Sequence, residues 1–305
     1  MSSGAKQITP YGVESAPGVI ATTWKTLAFT SNGLDAAAQT VESTTIKDSR
    51  IASGTFVTGI EVAGDIDTEF AYGIQDDLLE GVAFNPWGNN VLTFGGTTRK
   101  TFSIIRGFTD IDNYQVFTGC HINQWTLAIP DSGIVTSKFS IMGLKRTAYE
   151  VSPATNIEPA DDAIQFTSLS TGDILIDGEV KLGMCVTQLD LTIDNSMQIQ
   201  KCLNYENNIS AILETIMKGT GTFTIAWSKN TAELYENQFL NIPISLQYSL
   251  KDSEGNKYTL MLPKLTVSAP LPSGSSGDIL NTQFTFTVAS EAPTLTRIPV
   301  VTPEA

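Results

Sequence analysis

The sequence contains few of the residues that catalytic and metal-binding sites use most. In 305 residues it has one histidine, His121, and three cysteines, Cys120, Cys185 and Cys202. No two cysteines have the C-x-x-C spacing, so the sequence predicts neither a disulfide framework nor a zinc site. We expect the cysteines to be buried as small apolar side chains. Because His121 has no serine or cysteine nucleophile in a recognisable motif, the sequence argues against an enzyme.

Positive charge and long apolar runs are also scarce. The chain has 18 Lys and Arg against 32 Asp and Glu, a formal net charge of −14, and such a surface repels nucleic acid phosphates. No glycine-rich phosphate-binding motif occurs, so we expect no nucleotide. No apolar run approaches the roughly 18 residues of a membrane-spanning helix, and the first residues lack the apolar core of a signal peptide. We therefore expect a soluble, unprocessed protein.

Two acidic patterns are the sequence features closest to a cation site. Asp65-Ile66-Asp67 and Asp110-Ile111-Asp112-Asn113 offer alternating oxygen ligands, as calcium loops do. Neither has the glycine and the distal glutamate of a complete loop, and turn-forming Asp and Asn explain the second pattern. The sequence therefore predicts no metal and no cofactor.

The chain does contain one pattern that occurs twice in the same order. Phe29-Thr30-Ser31 resembles Phe166-Thr167-Ser168, Thr58 to Val62 resembles Thr187 to Leu191, and Phe139-Ser140-Ile141 resembles Phe284-Thr285-Phe286. Collinear matches of this kind predict two tandem units. On this basis we divide the chain into an N-terminal arm (1–27), a first unit (28–150), a linker (151–162), a second unit (163–291) and a C-terminal segment (292–305).

Hydrophobic periodicity predicts mostly strands within each unit. Period-two alternation or β-rich composition predicts strands over residues 55–63, 101–105, 114–129, 139–142, 186–194, 244–250 and 257–267. Helical spacing predicts helices over 69–83 and 209–217, and Asn230 with Glu233 resembles the capping box of a helix over 231–240. We therefore expect a mainly β protein, with two tandem barrel or sandwich units, a short helix flanking each, and extended arms.

Polar side chains form one face of two predicted strands. Glu61 lies on the polar face of the first strand, and Gln188, Asp190 and Asp194 lie on the polar face of the second. This face is either the ordinary solvated side of an antiparallel sheet or the lining of a lumen that several subunits close into a barrel. Closure would also remove the exposed sheet edges that invite aggregation.

Three further stretches carry a resemblance to a known family. They are Tyr11-Gly12-Val13-Glu14 followed by Pro17-Gly18, the stretch from Glu42 to Ile46 with Asp48 and Arg50 behind it, and Asp252 to Tyr258 leading into Leu262-Pro263. With the order of the predicted strands, they resemble the major tail tube protein of long non-contractile-tailed (siphovirus-type) bacteriophages. The resemblance implies a structural virion protein, assembled in the bacterial cytoplasm, whose stacked rings form the hollow tail tube for DNA ejection into the host.

The resemblance also implies roles for named residues. Glu61, Asp65, Gln188, Asp190 and Asp194 would line an acidic lumen in which DNA phosphates find no binding site. The arm and the loop over 32–44 would connect subunits or successive rings, with Tyr11, Trp24, Asn32 and Leu34 as candidates. The implied partners are further copies of the chain, the tape-measure, tail-terminator and tail-tip proteins, and double-stranded DNA in transit. Two tandem units favour a trimeric ring that imitates a hexamer over a hexameric ring.

A second class of function is a carbohydrate- or receptor-binding virion module built from two β-sandwiches. Such a module needs exposed, clustered aromatic side chains. Trp24, Trp87, Trp125 and Trp227 are instead scattered along the sequence, and we expect the last two to lie in the core because they fall in predicted strands.

Overall fold

The computed structural model describes residues 2–46, 48, 50–52, 54–160, 163–181, 184–203 and 209–300. The first half contains β1 (Gln7–Ile8), β2 (Pro10–Val13), β3 (Trp24–Thr26), β4 (Ser31–Asn32), β5 (Asp35–Glu42), β6 (Thr55–Glu69), α1 (Asp76–Ala83), β7 (Val91–Thr93), β8 (Phe102–Phe108), β9 (Asn113–Ile129), β10 (Thr136–Gly143) and β11 (Lys145–Tyr149). The protein is therefore mainly β, as expected.

The second half is also mainly β. It contains β12 (Ile157–Glu158), β13 (Leu175–Ile176), β14 (Val186–Asp194), β15 (Gln198–Lys201), β16 (Ile209–Leu213), β17 (Lys218–Ala226), α2 (Lys229–Leu240), β18 (Ile244–Lys251), β19 (Lys257–Ser268), β20 (Asn281–Val288) and β21 (Thr294–Ile298). Short 3-10 turns occupy Gly4–Lys6 and Ser168–Ser170. Neither of the described helices is long and apolar enough to cross a membrane.

A continuous antiparallel run of eight strands forms the centre of the fold. Its order is β5–β6–β10–β9–β14–β17–β20–β19. β9 and β14 join the two halves of the run, in register from Ile129 opposite Leu189 to Gln124 opposite Asp194. At the ends of the run, the outer side of β5 and the outer side of β19 over Thr266–Ser268 have no strand partner within the described part of the chain.

The same order of pairing occurs in both halves of the run. β6 pairs with β5 and β10, and β9 pairs with β10, β8 and β11. In the second half, β17 pairs with β14 and β20, and β19 pairs with β20, β18 and β21. α1 follows β6 and α2 follows β17. The pairing thus matches β10 to β20, where Phe139 and Phe284 lie, but it matches β14 to β5 rather than to β6.

One face of the eight-strand run is apolar and forms the core. Trp125, Phe139, Phe223 and Phe284 lie on this face and are buried. They belong to a single apolar cluster that also contains side chains of α1, β8 and β18. The rings of Phe223 and Phe284 stack across β17 and β20, with centroids 5.2 Å apart. Burying each such side chain stabilises the fold by about 1.5–3 kcal/mol, so this layer fixes the face that the sheet turns inward.

A polar joint in this core ties α1 to the last two strands of the chain. Asp76 of α1 accepts hydrogen bonds from the hydroxyl of Tyr258 in β19 and from the guanidinium of Arg297 in β21. Arg297 also covers the ring of Trp87, 4.6 Å from its centroid. Burial, with Asp76 next, raises the pKa of Tyr258 well above its usual range, so the hydroxyl remains a hydrogen-bond donor.

The N-terminal segment is folded onto the body instead of extending from it. β2 pairs with β3 and with β8, and these pairings give its backbone groups hydrogen-bond partners. Glu14 follows β2, and its carboxylate accepts hydrogen bonds from Ser103 Oγ and from the amide of Gly119, both at 2.8 Å. The extended arm expected over 1–27 is therefore a set of short strands in this chain.

Two predicted helices differ from the structure. The helix expected over 69–83 begins only at Asp76, because β6 continues to Glu69 and Phe70 packs with Tyr258, 5.5 Å between ring centroids. The helix expected over 209–217 is wrong. Residues 209–213 form β16, which pairs with β15 and buries Ile209 and Ile212.

The remaining predicted elements are largely confirmed. The strands expected over 101–105, 114–129, 139–142, 186–194, 244–250 and 257–267 correspond to β8, β9, β10, β14, β18 and β19. The helix expected over 231–240 is α2, but Ser228 caps it by accepting a hydrogen bond from the amide of Thr231 at 3.2 Å. The C-terminal segment expected from 292 contains β21, which pairs with β19 and β7.

Two buried tyrosines provide a matched test of the polar joint. Tyr258→Phe removes the hydroxyl bonded to Asp76, and we expect it to lower the free energy of unfolding by about 1–3 kcal/mol, because a charged acceptor loses its donor. The hydroxyl of Tyr248 is buried without a hydrogen-bond partner in the described part of the chain, so Tyr248→Phe should cost nothing or stabilise. Urea unfolding followed by tryptophan fluorescence measures both. Equal losses in the two variants would contradict the assigned joint.

Candidate functional site

The eight-strand run turns its second face, opposite the core, outward. We call this surface the polar face, and strand register fixes its members. Its charged residues are seven carboxylates and three lysines: Asp35, Glu61, Asp65, Asp67, Glu69, Asp190, Asp194, Lys138, Lys218 and Lys264. Between them lie Gln, Thr, Ser and small side chains. The polar face is therefore negative overall and hydrophilic across most of its width, with Val41 and Phe56 as apolar side chains at the end of the β5–β6 hairpin.

The five residues predicted to line a lumen all lie on the polar face. Glu61 and Asp65 are on β6, while Gln188, Asp190 and Asp194 are on β14. β10 and β9 separate these two strands. Because neighbouring strands lie about 4.8 Å apart, the two acidic strands are about 14 Å apart. The carboxylates thus form two separate stripes across the sheet, too far apart to share one proton or one metal ion.

Hydrogen bonds hold several of these carboxylates on the face. Gln39 Nε2 donates to Glu61 at 3.1 Å. Asp190 accepts from Gln188 Nε2 at 2.9 Å and from Thr222 Oγ1 at 3.3 Å. These donors are neutral, so the negative charge of both carboxylates remains available to the solvent beside the sheet.

Asp65 forms an ion pair on the polar face. Its oxygen lies 2.9 Å from Lys138 Nζ on the neighbouring strand β10. Partial burial raises the pKa of Asp65, but hydrogen bonds from Ser140 and Lys138 outweigh this effect and lower it. The same hydrogen bond raises the pKa of Lys138. Both groups are therefore charged at neutral pH, and they cancel each other locally.

The polar face is neutral over residues 220–224 of β17 and 283–287 of β20, which the sequence analysis missed. Thr220, Thr222 and Thr224 of β17 stand opposite Thr287, Thr285 and Gln283 of β20. The signal was present in the sequence as alternating Thr-x-Thr patterns over 220–224 and 285–287. Threonine favours strands and keeps a hydroxyl toward solvent. The face thus offers phosphate groups hydroxyls and carboxylates, with few cations.

The four residues predicted to connect subunits are buried within their own chain. Tyr11 and Trp24 are core residues of β2 and β3, and Leu34 is buried just before β5. Asn32 donates from Nδ2 to Thr9 Oγ1 at 2.9 Å and accepts from the amide of Leu34. Their side chains hold the N-terminal segment against the start of the β5–β6 hairpin, and none of them faces solvent.

His121 and Asp110, the sequence candidates for catalysis and for metal binding, make hydrogen bonds within the fold. His121 is buried, with Nδ1 2.9 Å from the carbonyl oxygen of Gly119, and burial lowers its pKa. Asp110 accepts hydrogen bonds from Ser2 Oγ and the amide of Ser3. Among the residues that the structure describes, no three His, Cys, Asp or Glu side chains are grouped closely enough to hold a metal ion.

The cysteines differ from the expectation that all three are buried. Cys120 is buried, which raises the pKa of its thiol well above the usual range. Cys185 is exposed, because it precedes β14 at the open start of that strand, and Cys202 is half-buried after β15. The expectation is therefore wrong for Cys185 and only partly met by Cys202.

The tryptophans do not form an exposed binding platform. Trp24 and Trp125 are buried, and Trp87 is covered by Arg297. Trp227 is half-buried, not in the core as expected, because β17 ends at Ala226. Its ring contacts Tyr235 of α2 at 5.9 Å between centroids, so its aromatic surroundings belong to one helix.

Comparison with known protein families gives one match. A family model described as phage tail tube protein matches residues 4–296, which include every strand of the eight-strand run. No curated protein matches the chain.

The ion pair on the polar face can be tested by titration. Lys138→Met should raise the pKa of Asp65, because the burial that raises it stays while a lowering hydrogen bond is lost. Carbon-13 NMR of the side-chain carboxyl measures this shift, and Lys218→Met on the same face should leave Asp65 unchanged. Since the folded pKa is lowered, Asp65 stabilises the fold above the ordinary aspartate pKa of about 3.9 and loses this contribution as pH falls further. An unchanged titration in Lys138→Met would refute the pairing.

Proposed function

The chain belongs to the phage tail tube protein family, and from this premise we propose that its copies close into rings that stack as the tube of a long non-contractile tail. Membership of the family makes the chain a structural, non-enzymatic subunit of the virion tail that assembles with other tail components. The ring, its symmetry and its lumen are our proposal. The observation that carries it is an eight-strand sheet with a hydrophilic face and two unpaired ends.

The unpaired ends support ring closure by strand pairing between copies. β14 corresponds in pairing order to β5, and the final part of β9 corresponds to the end of β19. Within the chain, β9 and β14 pair antiparallel. We propose that β5 of one copy pairs in the same way with the Thr266–Ser268 edge of the next. Such head-to-tail contacts form a ring when the rotation closes, and closure removes both open edges.

The repeated pairing order supports two tube-like units in each chain. We propose that the units span residues 28–150 and 163–291, with a linker over 151–162, of which 161 and 162 lie outside the described residues. β12 lies in this linker and pairs in parallel with β3. The β9–β14 joint within the chain and the β19–β5 joint between chains would alternate around the ring. Three chains then imitate a ring of six units.

The polar face supports an acidic, hydrophilic lumen. We propose that the barrel closes with this face inward, so that Glu61, Asp65, Gln188, Asp190 and Asp194 face the DNA. Proteins bind DNA mainly by neutralising phosphates with lysine and arginine, and this face has three lysines against seven carboxylates, with one lysine paired with Asp65. A duplex would therefore pass without strong attachment. The tape-measure, tail-terminator and tail-tip proteins are proposed as further partners of the assembled rings.

The buried connectors have a more limited role in this proposal. Tyr11, Trp24, Asn32 and Leu34 would act as anchors that fix the N-terminal segment and the start of β5. The contacts between copies would then come from the outer edge of β5 and from the exposed end of the β5–β6 hairpin.

Electron microscopy of the concentrated, purified protein tests the ring. We expect hollow stacked rings whose end-on class averages show six similar units with threefold symmetry. Analytical ultracentrifugation on dilute samples should show the monomer and its rings. Sixfold symmetry with one chain per unit would contradict the tandem arrangement, and a monomer that stays single even with tail-tip initiator would contradict the tube.

Charge reversal tests the lumen. We expect Glu61→Lys with Asp190→Lys to assemble nearly as the parent does, because both residues project from the sheet into solvent, but to slow DNA ejection, because the new cations bind phosphates. DNA release from reconstituted phage measures this, and raised salt should relieve the block. Glu254→Lys with Glu291→Lys, two exposed positions off the polar face, gives the same change in net charge as a control. Unchanged ejection in the first variant would disprove the lumen assignment.

A further inference from the structure

One contact between the halves of the chain shows how a hairpin docks on a helix. The connection between β14 and β17 contains β15 and β16, and it lies against the end of α1. Met197 and Ile212 from this hairpin pack on Phe84, which directly follows α1. Asn195 Nδ2 donates to the carbonyl oxygen of Val82 at 3.0 Å. The contact therefore combines an apolar cluster with a backbone hydrogen bond.

The corresponding hairpin of the first half, β5–β6, exposes its apolar side chains in the described part of the chain. β5 and β6 correspond to β14 and β17 in pairing order, and their ends form what we call the hairpin tip: Val41, Phe56 and Val57. These side chains are 58%, 62% and 64% exposed. Val41 and Phe56 stand opposite each other in the hairpin, and Val57 stands opposite Thr40. Because side chains alternate along a strand, Val57 projects from one face of the hairpin and Val41 and Phe56 from the other, all three into solvent.

The corresponding helix of the second half is equally uncovered. α2 corresponds to α1, and its end exposes three apolar side chains, which we call the α2 end: Phe239, Leu240 and Ile242. They are 63%, 66% and 46% exposed. Asn241 between them has a left-handed backbone, as Phe84 has after α1. The surface that α1 uses for docking thus has an unoccupied counterpart on α2.

α2 also lies beside the open edge of β19. Gln238 Oε1 accepts hydrogen bonds from the hydroxyl of Ser268 at 3.3 Å and from the amide of Ala269 at 3.2 Å. α2 therefore borders the edge to which a further strand would be added. The β5 strand of a second copy would bring its own hairpin tip to the α2 end, as β14 brings its hairpin to α1 inside the chain.

We propose that the hairpin tip of one copy docks on the α2 end of the neighbouring copy in the same ring. This inference rests on the proposed ring and names the side chains at its joint. The occupant is a second copy of this chain, because the chain itself contains the matching contact once. Val57 and the apolar side chains of the α2 end are then buried against each other, and assembly reduces the exposed apolar surface.

Cysteine cross-linking tests the docking directly. Val57→Cys with Leu240→Cys, in a background with Cys185→Ser and Cys202→Ser, should assemble into rings by electron microscopy. Oxidation with copper phenanthroline and oxygen should then join neighbours, and a non-reducing gel should show covalent trimers as the largest product. Glu233→Cys with Val57→Cys is the matched control, because Glu233 lies about 10 Å further along α2, and it should give at least fivefold less cross-linking.

The outcomes separate the docking from the ring itself. Rings without cross-linked chains would overturn the docking and leave the ring standing. Cross-linked ladders that extend beyond the chains of one ring would also overturn it, because the hairpin tip would then bridge successive rings. Absence of rings in the unmodified protein would instead overturn the proposed function, on which the docking rests.

A charge pair provides a second test that needs no oxidation. Val57→Asp and Leu240→Asp should each raise the protein concentration needed for assembly about tenfold or more, because a buried aliphatic contact is lost. Val57→Asp with Leu240→Lys should recover much of this loss. Leu169→Asp, at an exposed leucine outside both surfaces, should assemble as the parent does. A double variant no better than Val57→Asp alone would overturn the docking.

Discussion

Antiparallel pairing between β9 and β14 is the constraint on which the rest of the structure depends. β9 spans 17 residues, and its first part pairs with β8 and β11 while its last part pairs with β10 and β14. β9 therefore pairs both with strands of the first half and with β14 of the second half, and links the two. Because side chains alternate along strands, a slip of one residue in this register would turn Leu191 outward and Asp190 into the core. The pairing thus fixes the polar face across the whole run.

The two faces of the sheet have different compositions: one stabilises the fold, and the other is exposed to solvent. Stacked aromatic side chains and buried aliphatic side chains occupy one face, and carboxylates, amides and threonines occupy the other. Asp76 shows how the second half is locked onto the first, because its carboxylate gathers Tyr258 and Arg297 from the last strands. The group is partly buried, so removing one partner leaves the Asp76 carboxylate with fewer donors in a place that water reaches only in part. The polar face carries no comparable constraint, so its charge can serve function.

Alternation in the sequence was sufficient to predict β14 with its full bounds and the polar face on which Glu61 and Asp190 lie. The helix expected over 69–83 was too long because Phe70 and Ile74 have helical spacing. Phe70 instead packs against Tyr258, and the amide of Gly73 donates to the hydroxyl of the same tyrosine, which lies 185 residues further along the chain than Gly73. Residues 209–217 also have helical spacing, but pairing with β15 and burial against Phe84 decide their conformation. Short apolar runs are ambiguous between helix and strand for this reason. Phe139 and Phe284 lie on strands that the pairing order matches, β10 and β20. Glu61 and Asp190 do not lie on matching strands, because the pairing order matches β14 to β5 and β17 to β6.

An open sheet with unpaired edges needs some means of avoiding indiscriminate pairing. Here the open edge of β19 is short, and Pro270 and Pro272 follow it, where they cannot donate backbone hydrogen bonds to an added strand. The net charge of −14 repels copies at distances where apolar contacts do not yet act. Two copies therefore associate stably only when strand pairing at the β19 edge and contact between the apolar surfaces form together. We infer that the exposed apolar side chains of the β5–β6 hairpin and of α2 are tolerated in the single chain because neither surface gains much without the matching strand pairing beside it.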